Sequence, residues 1–239
     1  MDTSAQPLSF LCDFGDMDKF DARAIKAAGI AGVILKASEG HTLKAHKFAD
    51  RLKASRDEDL LLGAYHFGHE HYVRQQVDLF LGQIHDACNA AGIDPGDVRR
   101  MLDDEPDSVT DPQFTADECP QFLSLVSLPG KPALHYCGLS KGCAKWATAS
   151  DATVAAMSAY PLVIAAYGPD PRTFPASHLP RPWRTVGWSL FQENDGGAGP
   201  SDHVTFQRQV PGIGGCDHSV FRGDAAALRA WWKGTAPTV

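Results

Sequence analysis

Leu162-Val163-Ile164-Ala165-Ala166-Tyr167 carries no charge and no polar side chain before its closing tyrosine. A strand with one wet face would alternate apolar and polar residues. A continuous apolar run is what a strand buried on both faces requires, and such strands belong to parallel sheets covered by helices. Val33-Ile34-Leu35 has the same character. Working outward from these two, eight segments read as strands: Leu8–Asp13, Gly32–Ala37, Leu61–Phe67, Arg100–Glu105, Pro132–Cys137, Leu162–Tyr167, Thr185–Gln192 and Cys216–Phe221. Helical patterns separate the first six. They cover Phe20–Ala28, which stops at Gly29, then Ala45–Arg56, Tyr72–Ala91, Pro112–Val126, and Leu139–Thr148 or the region after it. Val73, Val77, Phe80, Leu81 and Ile84 give the third of these a helical period. No helix is expected between the sixth, seventh and eighth strands, and Asp224–Lys233 forms a last one. Alternating strand and helix predicts a parallel sheet with right-handed crossovers. The fold expected is α/β, a single irregular (β/α)5(β)3 TIM-like barrel spanning residues 1–239, with its core over about 8–233 and no separate wall-binding domain.

The totals suit such a barrel. The chain has 239 residues, 44% of them hydrophobic and 21% charged, which is enough apolar material for one large core. The net charge of −7, without a Lys/Arg cluster, argues against nucleic acid as a partner. No apolar stretch is long enough for a membrane span, so membrane insertion is not expected. Met1–Pro7 lacks a basic segment followed by an apolar run, so no secretory signal is read there. The six cysteines match neither a zinc spacing nor C-x-x-C, and are read as free, mostly buried thiols. Cys12 and Cys216 each precede an aspartate of interest, which makes them candidate neighbours in space.

Barrels of this kind gather function at the C-terminal ends of their strands. The first strand ends at Asp13, the second at Ser38-Glu39, and the third at Tyr65-His66. The fourth ends at Asp103 and Glu105, the sixth at Tyr167 and the seventh at Phe191-Gln192, while the eighth carries Asp217-His218 near its start. Asp103 and Glu105 are separated by one residue, so on a strand they face the same way, with Cα atoms about 6–7 Å apart. Such a pair brackets the carboxyl separations that glycosidases use. Carboxylates crowded in one cavity push one another's pKa values apart, leaving one protonated as a general acid. Aromatic walls would stack on sugar rings.

These residues stand in ordered motifs. Cys12-Asp13-Phe14 is followed by Ile34-Leu35-Lys36-Ala37-Ser38-Glu39-Gly40, then by Gly63-Ala64-Tyr65-His66-Phe67 and Leu102-Asp103-Asp104-Glu105. Ile164-Ala165-Ala166-Tyr167, Phe191-Gln192 and Gly215-Cys216-Asp217-His218-Ser219-Val220-Phe221 complete the series. From about Leu8 to Gly223 the chain resembles the family 25 glycoside hydrolases, the Chalaropsis-type lysozymes of bacteria, fungi and phage endolysins. The matching patterns are K-A-(S/T)-E-G, G-x-Y-H-F, L-D-x-E, I-A-x-Y, W-Q and a closing V-D-x-x-x-F. There are departures. Leu11-Cys12-Asp13-Phe14-Gly15 stands for G-I-D-V-S, Val163 for a tryptophan before I-A-x-Y, and Phe191 for the tryptophan of W-Q. The last two are expected to thin the aromatic lining.

The resemblance implies cleavage of the β-1,4 bond between N-acetylmuramic acid and N-acetylglucosamine in peptidoglycan, without metal or other cofactor. It implies Glu105 as general acid, with Asp103 orienting a substrate N-acetyl group that attacks the anomeric carbon. Asp13 and Asp217 would hold the sugar and keep Glu105 protonated. Tyr65, Tyr167 and Gln192 would bind substrate, and Glu39 would support them. Such an enzyme is expected to be a monomer made in the cytoplasm and released to the wall by a holin-type or other route. Two other readings stand beside it. His66-Phe67-Gly68-His69-Glu70-His71 offers imidazoles for a metal-dependent hydrolase. A non-catalytic sugar-binding barrel would keep the aromatic residues.

Overall fold

The computed structural model describes residues 7–106, 112–139, 143–194 and 209–235. Eight strands close into a barrel: β1 (Leu8–Phe14), β2 (Gly32–Glu39), β3 (Leu61–Phe67), β4 (Arg99–Asp103), β5 (Leu134–Gly138), β6 (Leu162–Ala165), β7 (Leu190–Asn194) and β8 (Asp217–Arg222). Neighbouring strands from β2 to β7 pair in parallel, and β1 closes the ring on β2 through Leu11↔Gly32 to Phe14↔Leu35. A short strand, Leu43–Lys44, folds back antiparallel on the end of β2.

The parallel sheet expected from the strand–helix alternation runs from β1 through β7, and β8 completes the irregular barrel antiparallel to both β1 and β7. A parallel strand needs a crossover behind it. Antiparallel entry needs none, and this reverses which end of the strand faces the functional rim.

Among the described residues, six α-helices accompany the barrel: α1 (Ala22–Ala27), α2 (Phe48–Asp57), α3 (Val73–Ala91), α4 (Glu118–Val126), α5 (Asp151–Met157) and α6 (Ala225–Trp232). Asp21, Ser150 and Asp224 cap α1, α5 and α6, each accepting from a backbone N–H three residues on. α3 ends at Gly92, which holds φ 65°, a conformation glycine adopts without steric cost. The helix expected over Leu139–Thr148 or the region after it forms after it, as α5, behind a 3-10 turn at Ala144–Ala147; positions 140–142 lie outside the described residues. Between β6 and β7 there are only 3-10 turns, Ala176–His178 and Arg181–Trp183.

Two cores follow from strand alternation. The outer one lies between strands and helices and includes Val33, Leu35, Leu62, Phe80, Phe122 and Ile164. The inner one fills the barrel with Leu11, Ile34, Met101, Leu134, Val163 and Leu190, and α6 closes its lower end with Leu228, Trp231 and Trp232. Trp232 donates its indole N–H to the Leu62 carbonyl at 2.9 Å, and the Arg99 guanidinium lies 4.9 Å from the Trp231 ring centre. Gly63 admits this plug: a Cβ there would stand 3.1 Å from Trp232 Cζ2.

Candidate active site at the barrel mouth

The upper ends of the strands present a ring of polar side chains. Asp13 on β1 and Asp217 on β8 are direct register partners, which only the antiparallel course of β8 permits. In a parallel strand, Asp217 would lie at the sealed end. Asp103 is the last residue of β4, and Glu105 lies just beyond it, not within the strand as expected. The alternation nevertheless continues, because the Asp104 amide donates to the Tyr136 carbonyl at 3.0 Å. Asp104 is therefore fully buried on the outer side, while Asp103 and Glu105 are partly exposed.

Gln192 on β7 ties the rim together. Its amide oxygen accepts from the Tyr136 hydroxyl at 2.6 Å and from the Tyr167 hydroxyl at 3.2 Å, and its amide nitrogen donates to Asp13 Oδ2 at 3.4 Å. Tyr167 is 44% exposed and Tyr65 is buried, so the two differ in their access to a bound ligand. Glu105 Oε1 occupies the space beside Gly138, where a Cβ would come within 2.8 Å of it. The absence of a side chain at the end of β5 thus leaves room for this carboxyl.

Crowding acid groups in a sheltered rim changes their protonation. Burial, reinforced by the Glu105 charge, holds Asp103 well above the usual carboxylate range. Burial and then the neighbouring Asp217 do the same to Asp13. The Tyr65 and Tyr136 phenols are pushed up by burial, and next by Asp103 and Glu105 respectively, so both hydroxyls remain protonated. Lys36 is the opposing charge acting on Asp103. Asp103 Oδ1 is buried without a hydrogen-bond partner among the described residues, a costly condition.

Glu39 is set apart from the carboxylate cluster. It bonds Lys36 Nζ at 2.5 Å, has His69 Nε2 at 3.4 Å, and lines a side cavity with His41, His71 and Tyr72. Burial would raise its pKa, but the bond from Lys36 and then His69 hold it below the usual value. Asp104 supports the site from behind. It meets Lys145 Nζ at 2.6 Å and His135 Nε2 at 2.9 Å. Burial works against its charge, but Lys145 and His135 keep it below the ordinary carboxylate range.

The structure brings Asp13, Asp103, Glu105, Asp217, Tyr65, Tyr167 and Gln192 to one rim. It adds Tyr136, Lys36 and Gly138, which the sequence reading gave no role. Tyr136 was legible in principle, because it stands next to the end of the expected strand Pro132–Cys137. Two expectations are corrected. Phe191 and Val163 are 0% and 1% exposed; Phe191 packs outward against Phe174 and Trp188, and Val163 fills the inner core. Neither departure thins the mouth. The histidine run also fails to converge. His66 faces outward with Nδ1 on Ser38 and Nε2 on Gln76, both at 2.8 Å, and burial lowers it to about 4. Among the described residues, the groups of three possible metal ligands are Cys12/Cys216/His218 and Asp104/Cys119/His135, neither of which uses the run.

With this geometry in place, comparison with known proteins is decisive. The family model for glycosyl hydrolases family 25 matches residues 15–197, more than half of the chain. The chain belongs to glycosyl hydrolases family 25. As a family 25 glycoside hydrolase, it shares its fold with a family GH25 lysozyme from Aspergillus fumigatus (TM-score 0.68, 20% identity, 94% of this chain and 99% of that one). The bacterial lysozyme of Streptomyces coelicolor gives a TM-score of 0.66 at 20% identity, over 95% of this chain and 98% of that one. The CTP1L endolysin gives 0.63 at 22% identity, over 95% and 70%. No protein of curated function matches the sequence. The family 25 match stops short of Asp13 and Asp217 at both ends, so those two positions rest on the barrel geometry.

Proposed function

We propose that this family 25 hydrolase is a peptidoglycan N-acetylmuramidase, cleaving the β-1,4 bond from N-acetylmuramic acid to N-acetylglucosamine. The observation that carries the reading is the sheltered Asp103–Glu105 pair, in which burial and the Glu105 charge hold Asp103 well above the usual carboxylate range. Asp103 accepts from the N–H of a substrate N-acetyl group. Held that way, an N-acetyl group at C2 points its carbonyl oxygen at the anomeric carbon, so the nucleophile comes from the substrate. Glu105 protonates the departing glycosidic oxygen and then takes a proton from the water that opens the cyclic intermediate.

Burial and the Glu105 charge favour a proton on Asp103, and Lys36 opposes them; in the proposed cycle Glu105 carries the proton given to the glycosidic oxygen. Asp13 and Asp217, paired across β1 and β8, hold the sugar at the same rim. Tyr167 and Gln192 offer a stacking face and hydrogen bonds. The lysozymes and endolysin that share the fold support peptidoglycan as the substrate.

The test is digestion of purified peptidoglycan, borohydride reduction of the fragments and mass spectrometry. The reading predicts fragments ending in reduced muramic acid. Reduced glucosamine ends would move the cleaved bond and overturn it. Retained binding without cleavage would instead identify a sugar-binding barrel.

A further inference from the structure

Strand alternation places a second cluster directly behind the first. Asp13 and Asp217 face into the barrel, so their chain neighbours Cys12 and Cys216 face out, together with His218. All three are buried, at 0%, 6% and 0% exposure. The two sulfurs are 3.1 Å apart, and Cys216 Sγ lies 3.2 Å from His218 Nε2. Two thiolates bound to one tetrahedral zinc at about 2.3 Å each would stand roughly 3.7 Å apart. The sulfurs here are nearer than that, and Phe14, the next outward residue of β1 after Cys12, offers no donor.

We propose that Cys12 and Cys216 are an oxidisable pair that forms a disulfide between the first and last barrel strands, immediately behind the two site aspartates. Cys216 attacks first. It is the less buried thiol, and its contacts with Cys12 and His218 lower it to about 6, whereas burial pushes Cys12 up. Thiolate character is what makes a cysteine the attacking partner.

The oxidant is a small-molecule disulfide. The Cys216 sulfur attacks one of its sulfurs, the small disulfide's S–S bond breaks, and one thiolate leaves. The Cys12 sulfur then attacks Cys216 in the mixed disulfide and expels the second thiolate. The two protein protons end on the two leaving thiolates, so one disulfide is reduced as one forms. The link joins residues 204 positions apart, and closing so long a loop removes much freedom from the unfolded chain. It also fixes the β1–β8 register that aligns Asp13 with Asp217. The link does not depend on the glycosidase reading, but its value to the site does.

The test uses the unaltered protein. Reduced enzyme is incubated with oxidised glutathione, alkylated in denaturant and digested with trypsin without reduction. The expected products include a peptide pair joining Cys12 to Cys216, read separately from any pair joining Cys137 to Cys143, whose sulfurs are 2.8 Å apart, with Cys88 and Cys119 alkylated. The oxidised protein is expected to melt about 5–10 °C above the reduced one, a shift absent in Cys216→Ser. Full alkylation of both cysteines after oxidation would overturn the proposal. So would native mass spectrometry showing the three residues occupied by a retained divalent metal. Peptidoglycan turnover is read separately, so failure of the link and failure of the proposed activity are distinct results.

Discussion

At the residue scale, the mouth of the barrel holds carboxyls in a condition that favours catalysis over stability. Asp13 and Asp103 bind protons more tightly in the folded chain than in the unfolded one. The folded state therefore carries more protons between the unfolded pKa, about 3.9, and the raised folded value. Stability falls as pH rises through that window. Asp13→Asn removes the penalty. It is expected to raise stability at neutral pH by on the order of 1 kcal/mol while lowering turnover, as thermal melts and hydrolysis rates on the same samples would show. A lower melting temperature would mean that the charge is compensated. Gly138 gives a finer probe. Its backbone is acceptable to alanine, but the added methyl meets Glu105 Oε1. Gly138→Ala is expected to fold normally and lose roughly 10²-fold in kcat, the cost of misplacing a reacting group by about 1 Å. Unchanged kcat would show that the carboxyl has slack.

At the element scale, β4 is held from behind by Asp104, Lys145 and His135. Lys145→Met leaves a fully buried carboxylate without its cation, and urea unfolding is expected to show a loss of about 3–5 kcal/mol. The Asp104 contribution has the opposite pH sign to that of Asp13. Its folded pKa is lowered, so its stabilisation is present above the unfolded value and is lost as pH falls through the folded one.

Elements differed in how legible they were. Apolar runs such as Val33–Leu35 and Leu162–Ala165 marked β2 and β6 because both faces of those strands are covered. β7 was misplaced because Thr185–Trp188 has strand-like residues, yet Trp188 serves as an outer packing surface against Phe191 and Arg222. The true strand ends in Glu193-Asn194, both fully buried. Asn194 lies 3.4 Å from His218, a tertiary contact that spacing does not reveal. The direction of β8 was hidden for the same reason, since periodicity is identical for parallel and antiparallel strands.

At the scale of the whole molecule, one end of the barrel is sealed and the other left polar. The site carboxylates were legible because each sits next to a motif at a strand end. Gly138 was not, because its role arises from Glu105, which lies just beyond the end of β4. The seal is made where Trp231 and Trp232 of α6 meet the inner core. Trp232→Ala is expected to cost about 3–5 kcal/mol in denaturant unfolding. Because this residue is remote from the mouth, kcat of the folded fraction should stay near that of the unaltered enzyme. A selective loss of kcat with full stability would place Trp232 in communication with the site.

The most direct test of the account is the rate of peptidoglycan hydrolysis by Glu105→Gln beside the unaltered enzyme, with melting curves showing that both are folded. The amide keeps the shape and loses the proton, so the account predicts a fall of about 10²–10⁴-fold with little change in melting temperature. A folded Glu105→Gln enzyme that hydrolyses peptidoglycan at a rate close to the original would contradict it.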